Sequence, residues 1–152
     1  MKFWWVSQNK TYNEEKNAGF LWAPKKNKNL KEVFHWKSLK DIEKGDIIFS
    51  YVNQKIVAYS IAKTQAYDFD KPFENEVELW EKKGLKVDVT YKVLDKPILI
   101  EDIRSDLEKL FEKQDKYKPL NKNGTGNQGY LFPLIDEVGE YVLKLCKKNE
   151  GN

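Results

Sequence analysis

Hydrophobic and polar residues alternate at the start of the chain in a way that predicts a buried β-strand. Over residues 2–8 both alternating sets begin with bulky rings: Phe3, Trp5 and Ser7 on one side, Trp4, Val6 and Gln8 on the other. Successive side chains point to opposite faces of a strand, so rings in both sets indicate a strand that is buried on both faces. After Gln8 the chain is predicted to open into a polar loop.

Later stretches continue this pattern with further strands. Residues 20–22 form a short apolar run that Pro24 stops, and 47–51 and 55–63 are rich in β-branched and aromatic residues. Only Val52, Asn53 and Gln54 separate the last two runs, which predicts a β-hairpin.

A fifth strand is predicted at residues 85–93, where alternation is almost perfect. Its inward set is Leu85, Val87, Val89, Tyr91 and Val93. We expect Pro97 to end this strand, because proline cannot donate to a ladder. Residues 65–83, broken by Pro72 and by acidic side chains, are predicted to form a loop with a turn of helix near 77–82.

Three segments have helical patterns. Thr11 and Glu14 have the spacing of a capping box, which predicts a short helical turn over 11–18 that Gly19 ends. The spacing of Ile103, Leu107, Leu110 and Phe111 predicts an amphipathic helix. A similar pattern predicts a C-terminal helix at about 134–147.

These elements together predict one α+β domain over residues 1–152, built on a curved or barrel-like mixed sheet of five to six strands with flanking short helices. The segment 117–134 has three glycines in six residues and is predicted to lack regular structure. It could be a plain surface loop or a loop that cradles phosphate, although it lacks the complete glycine motifs of nucleotide sites.

The composition limits the ligands, metal sites and cellular location that can be expected for this protein. The net charge of +3 does not by itself indicate nucleic acid, but residues 23–40 are rich in lysine, and Arg104 is the only arginine. These lysines could contact phosphates, whereas a single arginine leaves little capacity to recognise bases through guanidinium groups. The single cysteine excludes an intramolecular disulfide and a thiolate metal cluster, and we expect neither metal nor cofactor. Without an apolar run long enough for a membrane, the expected location is the cytoplasm.

Catalysis has little support in the sequence. His35 is the only histidine and lies between Phe34 and Trp36, where a structural or pocket-edge role and a ligand contact are both open. The paired carboxylates, including Glu14 and Glu15, have neighbours typical of solvated or helix-capping groups. We therefore expect a binding protein and not an enzyme.

The first 22 residues combine rings with amides and hydroxyls. Trp4, Trp5 and Trp22 lie among polar residues that a plain core does not need. Two interpretations are open: the rings anchor the core, or they form walls of a pocket for a flat polar ring whose edge the amides read.

Four motifs give the chain a specific resemblance. They are WWV-x-Q-x-x-TY at 4–12, LWAP at 21–24, GD-[IV]-[IV]-F at 45–49 and NG-x-G-x-Q at 123–128. In this order, over about residues 2–131, the chain resembles EVE-type domains of the PUA superfamily. Such domains occur at the N-terminus of modification-dependent restriction endonucleases, including HNH and McrBC-like systems.

The resemblance implies a reader of modified bases, because EVE domains are similar to YTH domains, which hold a modified base in an aromatic cage. It implies that methylated adenine or methylated or hydroxymethylated cytosine in DNA is flipped into a pocket. The implied pocket residues are Trp5, Ser7, Gln8, Asn9, Tyr12, Trp22, Ala23, Pro24, Trp36 and Tyr51. The implied contacts to the nucleic-acid backbone are Lys25, Lys26, Lys28, Asn123, Gly124, Gly126, Asn127 and Gln128.

Further alternatives are open at this stage. A free-standing PUA-like protein could bind modified RNA or a small base-like ligand, and a fused or separate nuclease is an expected partner of the DNA-reading form. The oligomeric state is not predicted. The variant Trp22→Ala distinguishes a pocket role of this ring from a core role. If the ring lines a pocket, the variant should lose binding and keep its stability; if the ring belongs to the core, the free energy of unfolding should fall by roughly 3–5 kcal/mol.

Overall fold

A computed structural model of the chain describes the residues 1–24, 39–70, 83–114, 117–121, 124–127 and 129–151. Within these ranges the strands are β1 (Phe3–Ser7), β2 (Phe20–Pro24), β3 (Ile47–Val52), β4 (Lys55–Ala62), β5 (Tyr67–Asp70), β6 (Lys83–Leu99) and β7 (Leu131–Leu134). The helices are α1 (Tyr12–Ala18), α2 (Ile100–Phe111) and α3 (Asp136–Asn149).

The seven strands form one mixed sheet in the order β2-β6-β4-β3-β1-β7, with β5 also paired to β6. Strands β1 and β3 are parallel, and all other pairs are antiparallel. The first part of β6 pairs with β2 and β5, and the rest pairs with β4, so β6 carries the sheet around a curl. This half-barrel confirms the predicted α+β fold on a curved sheet, with seven strands in the described residues where five to six were predicted.

The two faces of the sheet bury separate cores, which explains the rings on both sides of β1. Phe3 and Trp5 face a core that is covered by α2 and α3, called here the helix-side core. Trp4 and Val6 face the other core, called here the inner core, together with side chains of β2, β3 and β6. All four side chains are at most 4% exposed, so the predicted two-sided burial is confirmed.

The predicted hairpin is confirmed, and its turn is tight. Asn53 and Gln54 connect β3 to β4 with φ values of 47° and 63°. Two successive residues with positive φ are typical of the turns whose twist matches that of the flanking strands.

Three predictions about the strands are wrong. Pro97 does not end β6, because the register with β4 shifts between Ile56 and Ala58, and the proline lies in the resulting irregularity, where a ladder hydrogen bond is not required. For the same reason Val93, predicted to face inward, is 50% exposed. The segment before the C-terminal helix contains β7, whose Pro133 is tolerated because β7 lies at the edge of the sheet.

Two further predictions need correction. Residues 67–70, predicted as loop, form β5; the predicted turn near 77–82 lies outside the described residues. Helix α1 and its end at Gly19 are confirmed, but Thr11 makes no capping hydrogen bond, because its hydroxyl donates to the Glu15 carboxylate instead.

Candidate nucleic-acid interface

A cluster of buried polar side chains lies where β1 ends and α1 begins. Gln8 is fully buried, and its Nε2 donates to Glu15 Oε2 at 3.1 Å and to the Tyr91 hydroxyl at 2.9 Å. Helical spacing sets Thr11 and Glu15 on one face of α1. We call the set formed by Gln8, Thr11, Tyr12, Glu15, Tyr91 and Tyr130 the inner polar cluster.

Glu15 is the acceptor at the centre of this cluster. Thr11 Oγ1 donates to its Oε1 at 2.5 Å, and the Tyr130 hydroxyl and Gln8 donate to its Oε2. Burial raises the pKa of the Glu15 carboxyl to about 7, although these donors and the Trp22 N–H favour the charged form. The cost of burying the charge therefore exceeds the gain from its hydrogen bonds.

The cluster also positions β2. The Trp22 N–H donates to the Tyr130 hydroxyl at 3.2 Å, and the Tyr91 hydroxyl donates to the Phe20 carbonyl at 2.9 Å. Burial, followed by the nearby Glu15 charge, raises the pKa of both tyrosines well above its ordinary value. Both hydroxyls therefore stay protonated and keep their protons available for donation.

Several buried polar atoms near the cluster find no hydrogen-bond partner among the described residues. They are Gln8 Oε1, the Tyr12 hydroxyl, Ser50 Oγ and Ser60 Oγ. Three of these side chains meet at Tyr91, which bonds Gln8, meets the Tyr12 ring edge-on at 6.3 Å and pairs with Ser60 across β4 and β6. Buried polar groups are nearly always paired, so these atoms are candidates to accept from or donate to water or a ligand.

Trp22 lies on the other face of β2 from Leu21 and Ala23. Its ring is fully buried beside Phe20, and its Nε1 donates to the Phe69 carbonyl at 2.7 Å. The ring rests on Gly84, where an added Cβ would lie 2.4 Å from the Trp22 ring. Any larger residue at position 84 would therefore displace Trp22 or β2.

A second group of polar residues lines an open cleft of about 530 Å³, called here the outer cleft. It is lined by Ser7, Asn9, Tyr51, Asn53, Gln54, Gly126 and Asn127. Asn9 Oδ1 accepts the Asn53 N–H at 2.8 Å, which fixes the end of β1 against the hairpin turn. The glycine-rich loop approaches closely here, since an added Cβ on Gly126 would lie 3.3 Å from the Tyr51 ring.

The structure thus distributes the predicted pocket residues over two neighbouring places. Gln8 and Tyr12 lie in the inner polar cluster, whereas Ser7, Asn9 and Tyr51 line the outer cleft together with Gly126 and Asn127 of the predicted backbone-binding set. Ala23 faces the inner core and Pro24 ends β2. Trp36, Lys25, Lys26, Lys28, Asn123 and Gln128 lie outside the described residues.

Trp5 occupies neither place. It is 1% exposed in the helix-side core, with ring centroids 5.4 Å from Tyr51 and 6.4 Å from Phe111. Through Tyr51 it supports the wall of the outer cleft from beneath. The remaining predicted contact, Gly124, packs over the aliphatic part of Arg104.

Sequence reasoning missed three central residues of the inner polar cluster: Glu15, Tyr91 and Tyr130. Glu15 resembled a solvated carboxylate beside Glu14, yet its position four residues after Thr11 gave it the buried face of α1. Tyr91 was recognised as an inward strand position, but its hydroxyl contacts are long-range, 83 residues from Gln8. Such contacts depend on the sheet order, which periodicity does not reveal.

The part of the chain that the structure describes gives no support to three other features: a metal site, a reactive thiol and a membrane-spanning helix. No group of three or more His, Cys, Asp or Glu residues there could hold a metal ion. Burial raises the pKa of the Cys146 thiol to about 12, which leaves it protonated. None of the described helices is long and apolar enough to span a membrane.

Comparison with known proteins identifies the fold. No family model matches the sequence, and no curated protein matches it. Among solved structures, 26 chains match. Human THYN1 in complex with DNA containing 5-methylcytosine is 14% identical, with a TM-score of 0.58 over 98% of this chain and 99% of that one.

Two further structures resemble the chain over almost its whole length. The YTH domain of Zygosaccharomyces rouxii MRB1, in complex with N6-methyladenosine RNA, is 10% identical, with a TM-score of 0.53 over 96% of this chain and 86% of that one. A protein from Pseudomonas putida is 12% identical, with a TM-score of 0.56 over 94% and 98%. The chain therefore has the PUA-like fold of EVE and YTH domains, as its motifs predicted.

Proposed function

We propose that this protein binds nucleic acid that carries a modified base, and that the flipped-out base contacts Gln8 and Tyr12 of the inner polar cluster. The observation that carries the proposal is that two buried atoms next to Tyr91, Gln8 Oε1 and the Tyr12 hydroxyl, have no hydrogen-bond partner among the described residues. Both residues belong to the motif on which the resemblance to EVE domains rests.

The chemistry of these atoms fits the edge of an amino base. Gln8 Oε1 only accepts, and its partner would be the exocyclic N–H of cytosine or adenine. The Tyr12 hydroxyl donates or accepts, which matches a ring nitrogen beside that amino group. Flipping costs a few kcal/mol, and pairing two atoms that each cost about 1–3 kcal/mol unpaired offsets part of it.

The aromatic wall and the phosphate contacts complete the proposal. We infer that Trp36 contributes to the wall of the pocket, that Trp22, fully buried on the other face of β2, holds β2 in place, and that Lys25, Lys26 and Lys28 with the glycine-rich loop hold phosphates. The protein would act without catalysis, in the cytoplasm, and would direct a fused or separate nuclease of a restriction system to modified DNA.

Binding of short DNA duplexes tests the proposal. Each duplex carries one N6-methyladenine, 5-methylcytosine or 5-hydroxymethylcytosine and is compared with its unmodified twin at two salt concentrations. We expect a preference of tenfold or more for one modification and an affinity that falls log-linearly with salt. Equal affinity for every modified duplex and its twin would contradict the proposal for DNA.

The variant Tyr12→Phe tests the pocket itself. It keeps the ring and removes a hydroxyl for which the described part of the chain offers no hydrogen-bond partner, so stability should stay within about 0.5 kcal/mol while affinity for the preferred modification falls roughly tenfold. Tyr141→Phe is the matched control, because its hydroxyl bonds Asp106 at 3.0 Å between α2 and α3, away from the cluster. Unchanged affinity in Tyr12→Phe would remove this residue from the site.

RNA is the second candidate ligand, because a YTH domain of the same fold was solved with N6-methyladenosine RNA. The same modified sequences as single-stranded RNA and DNA distinguish the two. A preference for RNA at equal sequence would favour the RNA form of the proposal. A modified nucleoside bound as tightly as either strand would favour a small base-like ligand.

A further inference from the structure

A third surface feature is a cleft between α2 and the segments 117–121 and 124–127, called here the α2 cleft. Its volume is about 400 Å³, and none of its lining residues belongs to the inner polar cluster. The floor is apolar and consists of Leu107, Phe111 and Leu120, which are 1%, 5% and 7% exposed. The rim is polar and consists of Arg104, Glu108, Glu112, Lys118, Asn121, Gly124 and Asn127.

The loop wall of the α2 cleft is fixed by its own hydrogen bonds. The Asn121 N–H donates to the Thr125 carbonyl at 2.9 Å, and Asn127 donates to Pro119 and Lys118 carbonyls, both at 2.7 Å. Gly124, at φ +77°, packs against Arg104, since an added Cβ would lie 3.0 Å from Arg104 Cδ. The cleft is therefore largely pre-formed, as ligand sites usually are.

The charges on the rim select against a phosphate. Arg104 and Lys118 are matched by Glu108 and Glu112, so the rim has no excess positive charge for a phosphate group. An apolar floor with both donors and acceptors at its edge suits a flat, uncharged, heteroaromatic ring. A nucleobase has this chemistry, with apolar faces and a polar edge.

The α2 cleft is also continuous with the outer cleft. Asn127 lines both, and the outer cleft reaches Ser7 at the end of β1, on the strand face opposite to Gln8 of the inner polar cluster. A strand whose modified base enters beside Gln8 would pass around the end of β1, cross the amides of the outer cleft and reach the α2 cleft. The amides would contact its sugar-phosphate backbone on the way.

We propose that the α2 cleft is a second subsite, which binds an unstacked nucleobase near the modified one on the same strand. This inference rests on the proposed function, and it gives the protein a sequence context that the modified-base pocket alone does not supply. Base-to-aromatic stacking of about 1–3 kcal/mol per base predicts a contribution of roughly 5- to 150-fold to affinity.

An abasic scan tests the second subsite. The probes are single-stranded DNA heptamers with a central 5-methylcytosine or N6-methyladenine, in which each flanking base in turn is replaced by an abasic residue. Wild type should lose at least fivefold in affinity at one flanking position. Because every phosphate is kept, the dependence of Kd on salt should not change.

A blocking variant with a matched control assigns that loss to the α2 cleft. Glu108→Trp fills the cleft from α2 and should abolish the position-specific loss, whereas Ser105→Trp adds the same ring to an exposed position outside the lining and should retain it. Arg104→Gln is a second variant that reduces the loss without adding bulk. Thermal melts establish that each variant is folded.

The outcomes separate this inference from the proposed function. If no flanking abasic position lowers the affinity, or if Glu108→Trp shows the same position-specific loss as wild type, the inference of a second subsite is overturned. This holds even where modified strands are preferred. A position-specific loss that Glu108→Trp removes supports the subsite even where modified and unmodified strands bind alike, a result that would overturn only the reader function.

Discussion

At the scale of single residues, Trp22 joins stability to the proposed site. The ring is fully buried and its Nε1 is bonded, so Trp22→Ala should lower the free energy of unfolding by about 3–5 kcal/mol. Phe69→Ala is the matched control: it removes a ring that is 39% exposed but keeps the carbonyl that accepts from Trp22, and should cost at most about 2 kcal/mol. Urea unfolding measures both; equal losses would contradict the core role.

Loss of binding in Trp22→Ala would not show that Trp22 lines a pocket, because unfolding of the variant would also abolish binding. Trp22→Phe keeps a buried aromatic ring and loses the pyrrole part of the indole with its donor to Phe69, so it disturbs the core less than alanine does and binding is best measured in that variant.

Glu15 makes stability depend on pH. Its pKa is about 7 in the folded protein against an ordinary 4.5, so the folded state holds the proton more tightly than the unfolded chain. The free energy of unfolding should therefore fall as pH rises from 4.5 to 7, by roughly 3 kcal/mol, and then level off.

Unfolding by urea at pH 5 and pH 8 measures this difference. Glu15→Gln should reduce it to below about 1 kcal/mol, whereas Glu14→Gln, at the exposed neighbouring position, should keep the wild-type difference. A wild-type protein that is more stable at pH 8 than at pH 5 would show that the carboxyl is charged when buried.

At the scale of elements, the hairpin between β3 and β4 holds Gln54 in a left-handed backbone conformation that is unfavourable for a residue with a Cβ. Gln54 has φ 63°, a left-handed conformation that costs a residue with a Cβ about 1 kcal/mol and glycine almost nothing. Gln54→Gly should therefore raise the free energy of unfolding by about that amount. Gln65→Gly, at an exposed position without positive φ, should be neutral or destabilising in the same denaturation experiment.

The elements also show what periodicity could and could not predict. It identified β1, the hairpin and α2, because in these the apolar pattern and the burial coincide. It missed β5, whose four residues are all exposed, and β7, whose Pro133 and glycine-rich neighbours are typical of loops. Both strands owe their conformation to pairing with distant partners, β6 and β1, and not to their own sequences.

At the scale of the whole molecule, the site depends on contacts that close the half-barrel. The sequence motif selected Gln8 and Tyr12, but Tyr91 and Tyr130 join them from 83 and 122 residues away along the chain after Gln8. Only the order of strands in the sheet brings β6 and the segment before β7 to the end of β1. The fold class was predictable because it rests on local pattern, and Gln8 and Tyr12 of the candidate site could be selected from a motif; the polar network around them could not.

The same architecture predicts that the two cores unfold together. Trp4 and Trp5 are adjacent in β1 but belong to the inner and helix-side cores, so loss of either core exposes one face of the same strand. We expect 5-fluorotryptophan resonances of Trp4 and Trp5, assigned with Trp4→Phe and Trp5→Phe, to lose native intensity at one urea concentration. Helix content from circular dichroism should fall at the same midpoint. Two separated midpoints would mean that the helix-side core and the inner core are independent folding units. In that case a ligand bound beside Gln8 would raise only the midpoint at which the inner core unfolds.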